Sequence, residues 1–261
     1  MKKYIFMAAA LMMMGMGMSS CSNEDVITEV EQAPEKVQLT LTASFDMGGE
    51  TRAVWDADGV TPKFATGDKV GVYSDNSASV ELLDVTVDGD GIATLTGSVT
   101  SATTYHLVFP YKAGSTYDSG TKKISGFDKL NYGQWGEYPK TALHYAMTND
   151  TEANITFQPL CALFKGATAA TADEDKIYIK SAKLNAPVIT VDGTGSATLD
   201  ASVEAGTNPF LAKYQVSTTN ESNVRCYAVA PGSVTLVKGT SSSNVTKTET
   251  VVAGKIYNVA P

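Results

Sequence analysis

The stretch Val37-Gln38-Leu39-Thr40-Leu41-Thr42-Ala43-Ser44-Phe45 alternates apolar and polar residues without a break. A period of two places Val37, Leu39, Leu41, Ala43 and Phe45 on one face of a β-strand and the polar residues on the other. Working outward, similar runs fall at 69–74, 81–87, 93–99, 105–109, 155–164, 176–184, 188–191, 197–203, 213–217, 224–230, 233–237 and 246–259. Asp-Gly, Pro-Gly and Ser/Thr/Asn clusters separate them, as in β-sandwiches. No window of helical length carries a 3.6-residue period. The composition agrees, since 31 Thr and 24 Val stand among 261 residues, and β-branched side chains suit a pleated sheet. The fold class is all-β.

An internal repeat organises these strands. Residues 85–99 (VTVDGDGIATLTGSV) match 189–203 (ITVDGTGSATLDASV) at ten of fifteen positions, 104 residues apart. Each copy reads as strand, Asp-Gly turn, strand, with glycines supplying the positive φ of a tight turn. Each is followed by a strand that ends in proline, at Pro110 and Pro231. Two tandem β-sandwich domains are therefore expected, 37–150 and 151–261, joined near the polar stretch 148–152. The strand 37–45 lies outside the repeated unit, as an N-terminal addition to the first domain.

The N-terminus carries a separate message. Lys2 and Lys3 precede an apolar run of 15 residues, Tyr4 to Met18, shorter than the ~20 residues of a membrane-spanning helix. The run ends in Met18-Ser19-Ser20-Cys21. Residues 1–20 read as a signal peptide. They resemble a bacterial lipoprotein signal, although Met18 replaces the usual leucine. That resemblance implies a lipid (palmitate) anchor on Cys21. Ser22-Asn23-Glu24-Asp25 resembles the surface-export signal of Bacteroidetes lipoproteins. Residues 21–36 read as an acidic tether.

Little else suggests chemistry. A net charge of −8 offers no footprint for nucleic acid. The two histidines, His106 and His144, have no serine and aspartate at triad-like spacing, so no catalytic residue is assigned. Asp88-Gly89-Asp90-Gly91 lacks the glutamate of a calcium loop and reads as a turn. No metal ligand set and no cofactor are assigned. Cys161 and Cys226 lie in strand-like segments of an exported chain, which leaves both a disulfide and two buried thiols open. Three aromatics among glycines at 132–139 would suit either a sugar-stacking platform or the closed end of a sandwich.

Several of these stretches taken in order resemble the fimbrillins, pilus subunits of Bacteroidetes. They are the lipoprotein signal, the alternating first strand, Glu50-Thr51-Arg52-Ala53, Gly67-Asp68-Lys69-Val70-Gly71-Val72-Tyr73, residues 155–165, residues 227–231 and Lys255-Ile256-Tyr257. Phe64 stands where members often have tryptophan, and Trp55 sits upstream. The resemblance implies two transthyretin-like β-sandwiches. It further implies that an Arg- or Lys-specific protease removes the lipidated arm and first strand. Arg52, followed by Ala53, is the expected cleavage point, since the polar loop 47–50 precedes it; Lys36 and Lys63 are weaker candidates. A strand of another subunit then fills the groove vacated by Val37, Leu39, Leu41, Ala43 and Phe45. The expected donor is 246–261, with Val251, Val252, Ile256, Tyr257 and Val259 as its apolar positions; the same segment also reads as the last strand of its own domain. The expected partners are other pilus subunits, the outer membrane through the lipid anchor before processing, and host or bacterial surface ligands. The alternative reading is an outer-membrane surface lipoprotein that binds glycan or a host ligand through its loops.

Overall fold

Strand β1 (Lys36–Phe45) follows the expected alternation: Leu39, Leu41, Ala43 and Phe45 are buried, Val37 is half-buried, and the residues between them are exposed. The computed structural model describes residues 34–46, 63–77, 79–130, 132–134, 142–167, 176–180, 182–203, 210–213, 224–238 and 245–258. The chain divides into Met1–Ala33, which lies outside the described residues, and one unit, Pro34–Pro261. Among the described residues there are nineteen strands and no helix, so the chain is all-β.

β1 belongs to a closed seven-stranded barrel. Its partners are β2 (Lys69–Tyr73), β3 (Glu81–Val87), β4 (Ala93–Thr100), β5 (Tyr105–Phe109), β9 (His144–Thr148) and β10 (Glu152–Pro159), in the order β1-β10-β9-β5-β2-β3-β4. Leu39, Leu41, Leu83, Leu95, Leu107 and Phe157 are among the residues that fill it. The remaining strands form three four-stranded sheets. The hairpin β6 (Thr116–Asp118) and β7 (Lys123–Ser125) joins β13 (Lys183–Val191) and β14 (Ala197–Val203), in the order β14-β13-β7-β6. Strands β8 (Tyr132–Gln134), β11 (Ala162–Ala167), β16 (Val224–Val229) and β19 (Ile256–Asn258) form the sheet β19-β11-β16-β8. The last sheet is β15-β12-β17-β18, from β12 (Lys176–Lys180), β15 (Phe210–Lys213), β17 (Gly232–Lys238) and β18 (Val245–Val251).

A second apolar cluster joins these sheets to the outside of the barrel. Tyr73, Val108 and Tyr145 pack with Ile124, Leu163, Phe164, Leu184 and Ile189, while their chain neighbours Val72, Leu107, Phe109 and Ala146 face the barrel interior. Strands β2, β5 and β9 are thus covered on both faces, which removes the polar half of the alternation.

Three long runs end differently from the sequence reading. The run 155–164 divides into β10 in the barrel and β11 in another sheet. Pro159 has no N–H to extend a ladder, and the Leu160 N–H turns to the Leu143 carbonyl, 2.9 Å. The run 246–259 breaks between β18 and β19, where Gly254 takes φ 75°. The run 176–184 divides between β12 and β13. Strands β9 and β10 stand on either side of residue 150 and both belong to the barrel, while β6 and β7 pair into the sheet of β13.

The repeat is reproduced in the pairing. On β3 and β4, Val87 pairs Ala93 and Val85 pairs Leu95; on β13 and β14, Val191 pairs Ala197 and Ile189 pairs Leu199. In each turn one aspartate accepts two amides: Asp88 Oδ1 from Asp90 and Ile92, at 3.0 and 2.8 Å, and Asp192 Oδ1 from Thr194 and Ser196, at 2.8 and 3.1 Å. These bonds hold the Asp192 carboxyl below its usual pKa, and give Asp88 the role of a turn residue.

One difference between the copies is informative. A Cβ on Gly97 would collide with the Leu82 carbonyl oxygen and lie 2.9 Å from Leu83 Cδ2. The second copy has Ala201 there, and the strand opposite it is bulged between Lys183 and Val188, with Ala186 at φ 46°. The bulge displaces the backbone that would otherwise clash. Gly97→Ala is therefore expected to destabilise the chain by about 1–3 kcal/mol, an overpacking cost, read as a lower urea midpoint. An unchanged midpoint would show that β3 yields freely.

Candidate functional site

The candidate site is β1 with the two strands that flank it. β1 runs antiparallel to β4, with Val37 opposite Val99 and Leu41 opposite Leu95. It runs parallel to β10, with Thr40 opposite Glu152 and Phe45 opposite Phe157. Both edges of β1 are therefore hydrogen-bonded, and its removal would open the barrel between β4 and β10.

Polar contacts hold its two ends. The Ser101 N–H donates to the Glu35 carbonyl at 2.8 Å, the Thr40 N–H to Thr151 at 2.8 Å, and the Asp46 N–H to Phe157 at 2.7 Å. The Lys36 ammonium pairs with the Glu81 carboxylate and donates to Thr100 Oγ1 at 3.0 Å. Glu81 accepts the Thr100 N–H as well, at 2.8 Å.

An aromatic cluster closes the C-terminal end of β1. The Phe45 ring stacks on Phe64, centroids 4.4 Å apart, and meets His144 at 4.9 Å, Phe109 at 5.8 Å and Phe157 at 6.0 Å. Phe64 is buried in this cluster. Its partnership with Phe45 has no signal in the local sequence, because Phe64 lies in the segment before β2 and the two rings meet only in the folded chain. The segment 47–62, which carries Arg52 and Ala53, lies outside the described residues. Phe45 and Phe64, on either side of it in the chain, are in ring contact.

His144 sits inside this cluster, buried, with Nδ1 2.9 Å from the Ala142 carbonyl oxygen. Burial lowers its pKa to about 4. Among the described residues its ring contacts are aromatic, and desolvation by burial is the main cost of charging it. The unfolded chain takes up this proton near pH 6.5 and the folded chain only near pH 4. Stability supplied by neutral His144 is thus complete above pH 6.5 and is lost as pH falls toward 4, by about 3 kcal/mol in all. Urea melts at pH 7 and pH 4.5 test this, with His144→Phe as reference. The wild-type chain should lose more stability than the variant, and equal losses would contradict the assignment.

The candidate donor residues lie in the chain's own sheets. Val251 ends β18 opposite Gly232 of β17 and is buried. Val252 follows in the turn and is 40% exposed. Ile256 and Tyr257 lie on β19, parallel to β11, with Ile256 buried and the Tyr257 ring 5.4 Å from Phe164. Val259 and Cys21 lie outside the described residues.

The other singled-out residues resolve as structure. Cys161 is a buried free thiol, and burial pushes its pKa up to about 12. Cys226 stands on β16 opposite Lys165 of β11. That register puts it about four residues, or roughly 13 Å, along the sheet from Cys161, beyond the reach of a disulfide. The disulfide reading is therefore set aside. His106 Nδ1 lies 2.8 Å from the Tyr145 hydroxyl, and burial lowers its pKa while the Asp75 carboxylate acts against that shift. Residues 132–134 form β8 against β16, while 135–139 lie outside the described residues.

No family model matches the chain, and no curated protein does. Solved structures are similar at low identity. A proposed cell adhesion protein of Bacteroides uniformis is 14% identical with a TM-score of 0.47, over 85% of this chain and 90% of that one. A second, from Bacteroides ovatus, is 14% identical with a TM-score of 0.43, over 87% and 91%. The tip fimbrial protein Mfa3 of Porphyromonas gingivalis, with a C-terminal truncation, is 9% identical with a TM-score of 0.35, over 83% and 82%. Similarity at this level carries no inference about fold or function by itself.

Proposed function

We propose that this chain is a structural subunit of a cell-surface pilus serving adhesion. In this reading it is exported as a lipoprotein on Cys21, cut after Arg52, and joined to neighbouring subunits by strand exchange. It has no catalytic role. The observation that carries the reading is the placement of β1. One strand, N-terminal to everything else in the barrel, supplies the last two ladders that close it. The segment tying it to the remainder of the barrel contains Arg52. After a cut in that segment, β1 is held by noncovalent contacts alone.

A donor strand that enters the vacated place restores the ladders to β4 and β10 and fills the apolar positions left by Leu39, Leu41 and Phe45. The segment 246–261 is the proposed donor, and as donor it must leave β17 and β11. A contact of this head-to-tail kind does not close on itself and builds a filament. The sequence resemblance to the fimbrillins points the same way.

The experiment is mass spectrometry of the protein from the surface of its native host. Subunits beginning at Ala53 within SDS-resistant oligomers are expected. Polymer built from subunits that begin at Cys21 would overturn the processing step.

A further inference from the structure

We propose that the outer edge of β14 is a second strand-acceptor site, which takes the β1 segment of another copy in the antiparallel register that β1 holds on β4. This goes beyond the proposed function and depends on it only in requiring that a donor β1 leave its own barrel.

The repeat supplies the argument. β4 and β14 are equivalent strands, paired to β3 and β13 in matching register. On its other side β4 carries β1. Among the described residues β14 has no second neighbour and ends its sheet. The same sequence unit thus has a covered edge in one copy and an open edge in the other.

The backbone phase of that edge follows from the turns. The Asp88 N–H donates to the Ile92 carbonyl at 3.1 Å, and the Ser101 N–H to Glu35 at 2.8 Å. Antiparallel bonding alternates, so Thr94 and Thr96 face β3 while Ala93, Leu95 and Gly97 face β1. In the second copy the Asp192 N–H donates to the Ser196 carbonyl at 3.2 Å. The same alternation turns the backbone groups of Ala197, Leu199 and Ala201 outward, a row of donors and acceptors ready for another strand.

Side-chain exposure marks the missing strand. Val99, opposite Val37 of β1, is 0% exposed, whereas Val203, its equivalent, is 49% exposed. Placed in the register of β4, β1 would set Val37 against Val203, Leu39 against Ala201, Leu41 against Leu199 and Ala43 against Ala197. The exposed face of β1 carries Lys36 and no acid, and Thr40 would stand opposite Asp200, which is ion-paired with Lys183 of β13 at 2.7 Å.

The test adds a synthetic peptide, residues 36–45 of this chain, to the full chain and reads amide hydrogen exchange by mass spectrometry. Exchange in 197–203 should slow at least tenfold, with no change at 93–100, and a peptide of scrambled order should do nothing. Ala201→Pro removes an outward N–H without breaking the ladder to β13, and should weaken peptide binding at least tenfold. Val203→Lys, at an exposed site, should do the same and guards against misfolding of the proline variant. Unchanged exchange at 197–203, protection at β4 and β10 instead, or equal binding by both variants would overturn the proposal. None of these results bears on whether subunits from the cell begin at Ala53, so the two readings fail separately.

Discussion

A chain that begins at Met47, and so lacks β1, is expected to lose cooperative unfolding and to expose apolar surface. The full chain should melt in a single sharp transition of its barrel. Leu39 and Leu41 are fully buried, and Phe45 nearly so. Each such side chain contributes roughly 1.5–3 kcal/mol, so three of them, with half-buried Val37, supply on the order of 5–10 kcal/mol. A domain's whole stability is about 5–15 kcal/mol. Deleting β1 also leaves the edges of β4 and β10 unpaired in a barrel that no longer closes. Dye binding to exposed apolar surface and circular dichroism melts would report the loss. Addition of the 36–45 peptide should restore the transition, because β1 is held by contacts to β4 and β10 that need no chain connection. A truncated chain within about 1 kcal/mol of the full chain would show that β1 is an ornament of the barrel, and the strand-exchange reading would lose its foundation.

The second large effect is expected at the floor of the same groove. Phe157 is fully buried, stands opposite Phe45 in the β1–β10 register, and packs against Phe64 with centroids 5.5 Å apart. Phe157→Ala should cost about 3–5 kcal/mol, since lost transfer and a residual cavity add. Phe157→Leu keeps most of the volume and should cost less than about 1.5 kcal/mol. Urea unfolding of the three chains gives the comparison. The effect should also appear in kinetics: once the 47–62 segment is cut, β1 should dissociate faster from Phe157→Ala than from the wild-type chain. A loss below about 1 kcal/mol for the alanine variant would mean that the cluster collapses around the cavity.

The sites differ in how far they were readable beforehand. The buried row Leu39, Leu41, Ala43 and Phe45 was legible because alternation is a property of neighbouring residues. The Asp-Gly hairpins were legible because their turn bonds span at most four residues. Strand β9 leaves no alternating pattern, because His144, Tyr145 and Ala146 are buried in succession. Strands β6, β7 and β8, at three residues each, are too short to show a period at all. In the sequence His144 is a histidine without triad partners; its place against Phe45 depends on the β5–β9 register, in which it stands opposite Phe109. The pairing of Cys161 and Cys226 stays open in the sequence because strand-like sequence around them says nothing about register.

By itself, then, the sequence determined the class of the fold, the faces of its one-sided strands, the repeated hairpin and the apolar character of β1. Those follow from side-chain periodicity and turn chemistry, which act over a few residues. Only the tertiary structure decided that β1 lies between β4 and β10, that β10 turns into the barrel while β11 leaves it, and that the equivalent hairpins differ in whether an edge is covered. Such choices rest on contacts between residues far apart in the chain, as Val37 and Val99 or Phe45 and Phe157 are. Packing on both faces of a strand selects them, and no local pattern records it.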